Sequence, residues 1–227
     1  MNKKGTQNDI IEKSTMKLSI FGATGSVGSE CVRLSLLAGH ELSILVRDPK
    51  KLRPEFGGKV RVVTGNALEY ADVDKTILQG TDAVLFAIGV DRNSPKNLCT
   101  DATRHILEVM RRKNVGRLVW CGGGSTLMSE DVIGFGAKFV KRYSEIFLPL
   151  RHFDKQNQFE LLDKSRDITW IGVRPLQMKP GAHTRKYRVG YDSFNGFSNI
   201  SFSDCADSML GMLNDDTWIG KAPIIQY

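Results

Sequence analysis

The stretch from Lys17 to Gly28 constrains this chain more than any other. An apolar run, Leu18-Ser19-Ile20-Phe21, stops at Gly22, and glycines recur at Gly25 and Gly28 where a helical pattern begins. The pattern predicts a strand, a tight loop and a helix N-terminus, a layout suited to a pyrophosphate. Gly22 permits the sharp turn, Gly25 lets backbone N–H groups approach a phosphate, and Gly28 lets the helix pack on the strand. Thr24, Ser26 and Val27 complete the loop. A helix starting near Ser26 offers its unsatisfied N–H groups and positive dipole end to an anion. The spacing is G-x-x-G-x-x-G rather than G-x-G-x-x-G, so its position between strand and helix carries the weight. A glycine-rich turn with no ligand is the competing reading.

A chain of 227 residues with 41% hydrophobic content can bury a core of its own, and an α/β fold of this length is one domain. Residues 1–15 are polar and lack the apolar centre of a signal peptide; they are expected to be a disordered extension, with the folded domain over 16–227. The longest apolar run, Ala83 to Val90, has the length of a buried strand, so no membrane partner is expected. Cys31, Cys99, Cys121 and Cys205 are widely spaced and form no C-x-x-C, which fits reduced thiols in a cytoplasmic protein and no metal site. The net charge of +7 calls for an anionic partner. Its cations are dispersed, however, and no aromatic platform or recognition helix accompanies them, so nucleic acid is not expected. One cluster, Arg111-Arg112-Lys113, closes a helix and complements its dipole. Another, Arg47 to Arg53, lies where a phosphorylated cofactor would sit. Composition leaves monomer and dimer both open.

The rest of the chain alternates strands and helices. The first helix runs from about Ser26 to Ala38, and strands follow at Glu41–Val46 and Val60–Thr64. A short helix, Tyr70–Leu78, leads to a fully apolar fourth strand, Asp82–Ile88. The amphipathic helix Asn97–Lys113 precedes a fifth strand, Arg117–Cys121. That order implies right-handed crossovers and a doubly wound parallel sheet, a three-layer α/β/α Rossmann domain with its ligand at the carboxyl ends of the strands. Beyond Gly122-Gly123-Gly124-Ser125 the chain is mixed helix and loop to Pro149. It continues as a helix at Arg151–Ser165, a strand at Ile168–Val173 and a break at Pro175. Short strands are expected at Lys186–Gly190 and Asn199–Phe202. A last helix, capped by Ser203-Asp204, runs to Leu213, and Pro223–Gln226 is a final strand.

The end of the second strand discriminates between nicotinamide cofactors. An enzyme preferring NAD places a carboxylate there for the ribose hydroxyls. Here Arg47 stands in that place, with Lys50 and Lys51 close behind. Arg47 is suited to a bidentate contact with a 2′-phosphate, so NADP(H) is expected over NAD(H). Asp48, one residue late, is placed to cap a turn or touch ribose. Ala87-Ile88-Gly89 ends the fourth strand, where small residues let the backbone approach the cofactor. No tyrosine has a lysine four residues later, so the acid/base pair of a conventional alcohol dehydrogenase is missing. Hydride transfer to a flavin fits, because both reactants carry their own electronics and the protein only aligns them.

Gly22-Ala23-Thr24-Gly25-Ser26-Val27-Gly28 resembles the cofactor loop of atypical and extended short-chain dehydrogenase/reductases. Arg117 to Ser125, Thr169 to Pro175, and Pro180 to Gly190 with its Thr184 and Lys186-Tyr187-Arg188, resemble the corresponding motifs of the NADH-flavin reductases. Ile200 to Ala206 resembles their last helix entry. The likeness runs from Lys17 to Tyr227 and includes the related biliverdin-IXβ/flavin reductases. It implies that Asn66, with Ala67, meets the adenine edge, and that the serine after the fifth strand, Ser125, lies beside the nicotinamide. There Ser125 would orient the carboxamide or donate to substrate; satisfying its own turn is the alternative. Cys121, Gly122 and Gly123 are assigned to the cofactor with it, and Pro175, Leu176 and Gln177 border the nicotinamide by position. The substrate-side histidine of the biliverdin reductases aligns with Gln177, a departure that argues against tetrapyrrole activity. His152 and His183 read as surface or packing residues, and Arg174 as a strand-end ion-pair partner. The expected function is reduction of a flavin (FMN, FAD or riboflavin) or a similar planar acceptor by NADPH. A dinucleotide-sensing protein with little catalysis is the alternative, and an epimerase-like enzyme is a less favoured one.

Overall fold

A computed structural model describes residues 15–126, 128–131, 135–191 and 198–227. The extension expected over residues 1–15 therefore lies, apart from Thr15, outside the described residues. Strand β1 (Lys17–Phe21) leads through the glycine loop into α1 (Ser26–Leu37), followed by β2 (Glu41–Val46) and β3 (Arg61–Thr64). Helix α2 (Tyr70–Thr76), β4 (Ala83–Phe86), α3 (Leu98–Lys113) and β5 (Arg117–Cys121) complete the regular alternation. Then come α4 (Phe135–Phe147), α5 (Pro149–Asp163), β6 (Thr169–Pro175), β7 (Gln177–Lys179), β8 (Arg188–Gly190), β9 (Asn199–Ser201), α6 (Phe202–Gly211) and β10 (Ile224–Gln226).

The main sheet has the order β3-β2-β1-β4-β5-β6-β10-β8. Every pair is parallel except β10 with β8, which pairs antiparallel at the edge. The chain winds outward from β1 in one direction, then restarts at β4 in the other. The carboxyl ends of β1 and β4 thus form the crevice where such sheets bind ligands. Alternation along each strand explains the two-sided core. Ile20, Leu85, Val119 and Ile171 face α1 and α6, while Phe21, Phe86, Trp120 and Trp170 face the side of α2, α3 and α5. A central strand buried on both faces reads as a continuous apolar run, as β4 does.

The C-terminal third departs from expectation. Strand β6 does not break before Pro175. It runs through it, because the proline carbonyl is all the neighbouring loop needs: Gly124 N–H donates to Pro175 O at 3.0 Å. Helix α6 is capped by Ser201, whose Oγ accepts from Asp204 N–H at 2.9 Å, not by Ser203. Asp204 instead turns its carboxylate to Thr184, Arg185 and Tyr227. The mixed segment before Pro149 contains a full helix, α4, and α5 starts at Pro149, two residues earlier than expected. Proline at the first helical position costs no hydrogen bond. Among the described residues no helix is long and apolar enough to cross a membrane.

Candidate functional site

A cleft of about 370 Å³ opens at the carboxyl ends of β1, β2 and β4. Gly22, Thr24, Gly25, Arg47, Asn66, Ala67, Ala87, Ile88 and Gly89 all line it, with Lys51 and Asp91 at its edge. Gly22 takes a left-handed turn (φ +91°), and any side chain there would run into the Ala87 carbonyl, 2.5 Å from an ideal Cβ. A side chain on Gly28 would collide with the Gly22 carbonyl oxygen. The first turn of α1 therefore sits directly on the loop, with Val27 and Gly28 turned to the protein rather than the cleft. Their contribution to a ligand is through backbone and packing. Helix α1 has no side-chain cap, so its leading N–H groups and its dipole are presented to the crevice. An ideal Cβ on Gly25 has one close neighbour, Gly22 O at 3.3 Å, and otherwise enters open space. Such a cradle, uncapped and held clear of side chains, fits a pyrophosphate.

At the far rim, Arg47 is exposed on the cleft, and its charge lowers the Asp91 carboxyl, behind the larger effects of the Asn93 N–H and Ser94 hydroxyl bonded to that carboxylate. Asp48 does cap a turn: its carboxylate accepts from Lys50 N–H at 3.0 Å. Asn66, in the cleft lining, spends its Oδ1 on Leu68 N–H at 3.1 Å, which leaves its side-chain nitrogen for other contacts. Arg53, by contrast, turns back onto α1, binding Glu30 and Ser29.

The second group of residues lies along the ends of β4, β5 and β6. Cys121, Gly122, Gly123, Pro175, Leu176 and Gln177 do not line this cleft. They lie at the neighbouring ends of β5 and β6, where Gly122 N–H donates to Val173 O and Leu176 packs over Gly124. Gln177 is exposed at the start of β7.

Lys155 joins the two regions. It lies on α5, is 4% exposed, and donates to Ile88 O at 3.2 Å, Cys121 O at 3.0 Å and Gln158 Oε1 at 3.1 Å. Its ammonium also lies over the Phe86 ring at 5.1 Å. A buried cation thus ties the cleft wall at β4 to the β5 loop. Four residues upstream, where a Tyr-x-x-x-Lys pair would place its tyrosine, stands Arg151. The same helix holds Asp154, whose carboxylate accepts from Cys99 N–H at 2.7 Å and Thr100 N–H at 2.9 Å, capping α3 from across the fold.

His152, read from sequence as surface or packing, is buried, with Nδ1 3.2 Å from Ser125 Oγ. Burial holds its imidazole below the usual histidine range; Lys141 adds to this and Glu145 opposes it. A neutral imidazole beside a serine hydroxyl can hold or pass a proton. His183 lies elsewhere, paired with Asp207 on α6. Arg174 is an ion-pair partner, as read, but a buried one. It grips Asp131 with two nitrogens and donates to the carbonyls of Thr126 and Ala222, and so fastens the loop that carries Ser125. No group of three or more metal-ligating side chains occurs among the described residues.

Sequence reading missed Lys155, Asp154 and Asp131. The available signal was the helical spacing of His152, Lys155, Gln158 and Leu162, which is the buried stripe of α5. Leu150 and Phe153, apolar residues at the start of that helix, are exposed instead.

The family described as NAD(P)H-binding matches residues 22–216. A Bacillus subtilis relative, YwnB, is 24% identical over 204 residues, covering 87% of this chain and 92% of its own. Among solved structures, a candidate epimerase from Bacteroides thetaiotaomicron is 24% identical with a TM-score of 0.78, covering 94% of this chain and 98% of its own. A candidate NADH-flavin reductase from Streptococcus pneumoniae is 20% identical with a TM-score of 0.75, covering 93% and 99%. At these identities the solved structures establish the shared fold.

Proposed function

Because the chain belongs to the NAD(P)H-binding family, we propose that it is an NADPH-dependent reductase delivering hydride to a flavin or a similar planar acceptor. One observation carries the reading: a cationic rim, Arg47 and Lys51, faces an uncapped helix start across a single cleft. The glycine loop receives the pyrophosphate and Arg47 the 2′-phosphate. The bound cofactor supplies the hydride. Lys155 fixes the β4 and β5 ends against each other, and Ser125 orients the reacting face. With Arg151 in place of a tyrosine, the chain lacks the Tyr-x-x-x-Lys pair that supplies the phenol acid of alcohol oxidation. Mixing the protein with NADPH and, separately, FMN, FAD and riboflavin tests the proposal by the loss of reduced-nicotinamide absorbance. Oxidation above the protein-free rate supports it. Tight NADPH binding with no turnover on any flavin or quinone overturns it in favour of a sensing role.

Arg47→Ala is expected to weaken NADPH binding by one to two decades, about 1.5–3 kcal/mol for a charge-assisted contact, with NADH affinity unchanged. Equal affinities for both cofactors in the wild type would remove the assignment.

Ser125→Ala is expected to lower turnover about ten-fold, roughly 1.4 kcal/mol, through looser positioning. A loss of 10²–10⁴ with cofactor affinity intact would instead mark Ser125 as a general acid and point to carbonyl reduction. His152 adds a pH signature. Its folded pKa is depressed, so the folded state binds fewer protons than the unfolded chain. Stability is then full above the unfolded value, about 6.5, and declines as pH falls through it toward the folded value. Melting temperatures taken from about pH 8 to about pH 5, on either side of the free imidazole value, should fall less steeply in His152→Asn than in the wild type.

A further inference from the structure

Helices α4 and α5 meet in an apolar corner that nothing among the described residues covers. Seven large apolar side chains between residues 139 and 153 are exposed: Phe139, Tyr143, Ile146, Phe147, Leu148, Leu150 and Phe153. Only five other large apolar side chains among the described residues are exposed, and those are scattered. Phe139 is 55% exposed and Phe147 64%, which is costly to leave in water unless something meets them. Phe139, Tyr143, Ile146 and Phe147 share one side of α4, spanning an arc of about 100° at 100° per residue. The Tyr143 and Phe147 rings lie 4.8 Å apart and tilted, so these two side chains present one joined surface. It continues onto Leu150 and Phe153 at the start of α5. There a dimple of about 330 Å³, shared with Lys96 and Asn97, adjoins it.

The charges around the patch are one-sided. Lys138, Lys141, Arg142 and Arg151 are exposed beside it, and the segment from Phe135 to Phe153 contains a single carboxylate, Glu145; Asp154, next along and lining the dimple, has its carboxylate engaged by the start of α3. Glu145 is already within 3.9 Å of Lys141 and 3.6 Å of Arg142 on its own helix. A two-fold contact between copies sets a patch against itself, and here that would bring cations toward cations with no free acid to answer them. Aromatic and aliphatic side chains flanked by lysine and arginine instead match a bilayer interface with anionic headgroups. We infer that the α4–α5 corner is a peripheral docking surface for an anionic membrane. The apolar side chains sink to the level of the headgroups and the four cations meet lipid phosphates. The mode is lying on the surface, not spanning, in keeping with the length of α4.

Flotation of the full chain with phosphatidylcholine vesicles, with and without phosphatidylserine, tests this directly. Binding to the anionic vesicles is expected, with little to phosphatidylcholine alone and release as salt is raised. Phe139→Ser/Phe147→Ser and Lys141→Gln/Arg142→Gln should each weaken it by roughly ten-fold or more. Circular dichroism and NADPH titration, both expected unchanged, show that the variants are folded. Size-exclusion chromatography with light scattering runs alongside. A dimer broken by Phe139→Ser/Phe147→Ser, with no vesicle binding, overturns the inference and assigns the patch to a second copy. A monomer that ignores both kinds of vesicle overturns it too, as does binding that neither variant weakens.

Discussion

Gly25→Leu is expected to bind NADPH at least a hundredfold more weakly while remaining folded, a loss of about 2.7 kcal/mol or more. Gly25 sits at φ −81°, ψ 168°, extended backbone that any residue adopts, so the substitution strains no torsion. Its Cβ would touch only the Gly22 carbonyl, and the remaining side chain would fill the space held open before α1. The loss therefore reports ligand exclusion rather than damage to the loop. Gly28→Leu is a poor substitute for this test, because its side chain would strike the Gly22 carbonyl and lift the helix off the strand. Gly25→Ala should fall between wild type and Gly25→Leu. Titration by cofactor fluorescence, with thermal unfolding as the folding control, decides the matter. A folded Gly25→Leu protein with wild-type affinity would leave the glycine loop without a phosphate to bind.

The glycine loop was legible because its geometry is local. Three glycines, a preceding apolar strand and a following helix fix the turn whatever the rest of the chain does. The place of Arg47 on the cleft was legible for the same reason, since the end of β2 is a fixed distance along the chain from that loop. Lys155 was not. Its role depends on α5 lying across the ends of β4 and β5, so that one ammonium reaches Ile88 and Cys121, which are 67 and 34 residues away. Nor could sequence spacing reveal that Asp154 caps α3, because a cap is sought next to its own helix and this one comes from 54 residues beyond. The contact of His152 with Ser125 was not legible either, because it depends on α5 meeting the loop after β5; on that helix a polar stripe is buried while Leu150 and Phe153 are exposed. The break set at Pro175 erred by treating proline as a strand terminator; at that position only its carbonyl is used. The Ser201 cap was missed by two residues because Ser203-Asp204 also matches a capping pattern.

Asp131→Ala should be the most destabilising substitution in the site, by about 3–5 kcal/mol. Arg174 and Asp131 have side chains 0% and 1% exposed, so removing the carboxylate strands a buried guanidinium. The cost is chiefly that unanswered charge rather than the worth of the pair itself. Replacing both, as Asp131→Leu/Arg174→Met, removes the charge and should recover a good part of the loss. Recovery should stop short of complete, because Arg174 also donates to the carbonyls of Thr126 and Ala222, which methionine leaves unpaired. Turnover should follow a different course from stability. Thr126 is next to Ser125, so the repaired double variant still lacks one of the bonds that hold the serine loop to β6. Its melting temperature should approach wild type while its turnover stays low and its NADPH affinity, set at β1 and β2, is unchanged. Urea unfolding of the two variants and the wild type, paired with NADPH titration and flavin-dependent turnover, separates the two effects. If the double variant regains both stability and full turnover, Arg174 is a structural residue alone and the Ser125 loop holds its shape without it.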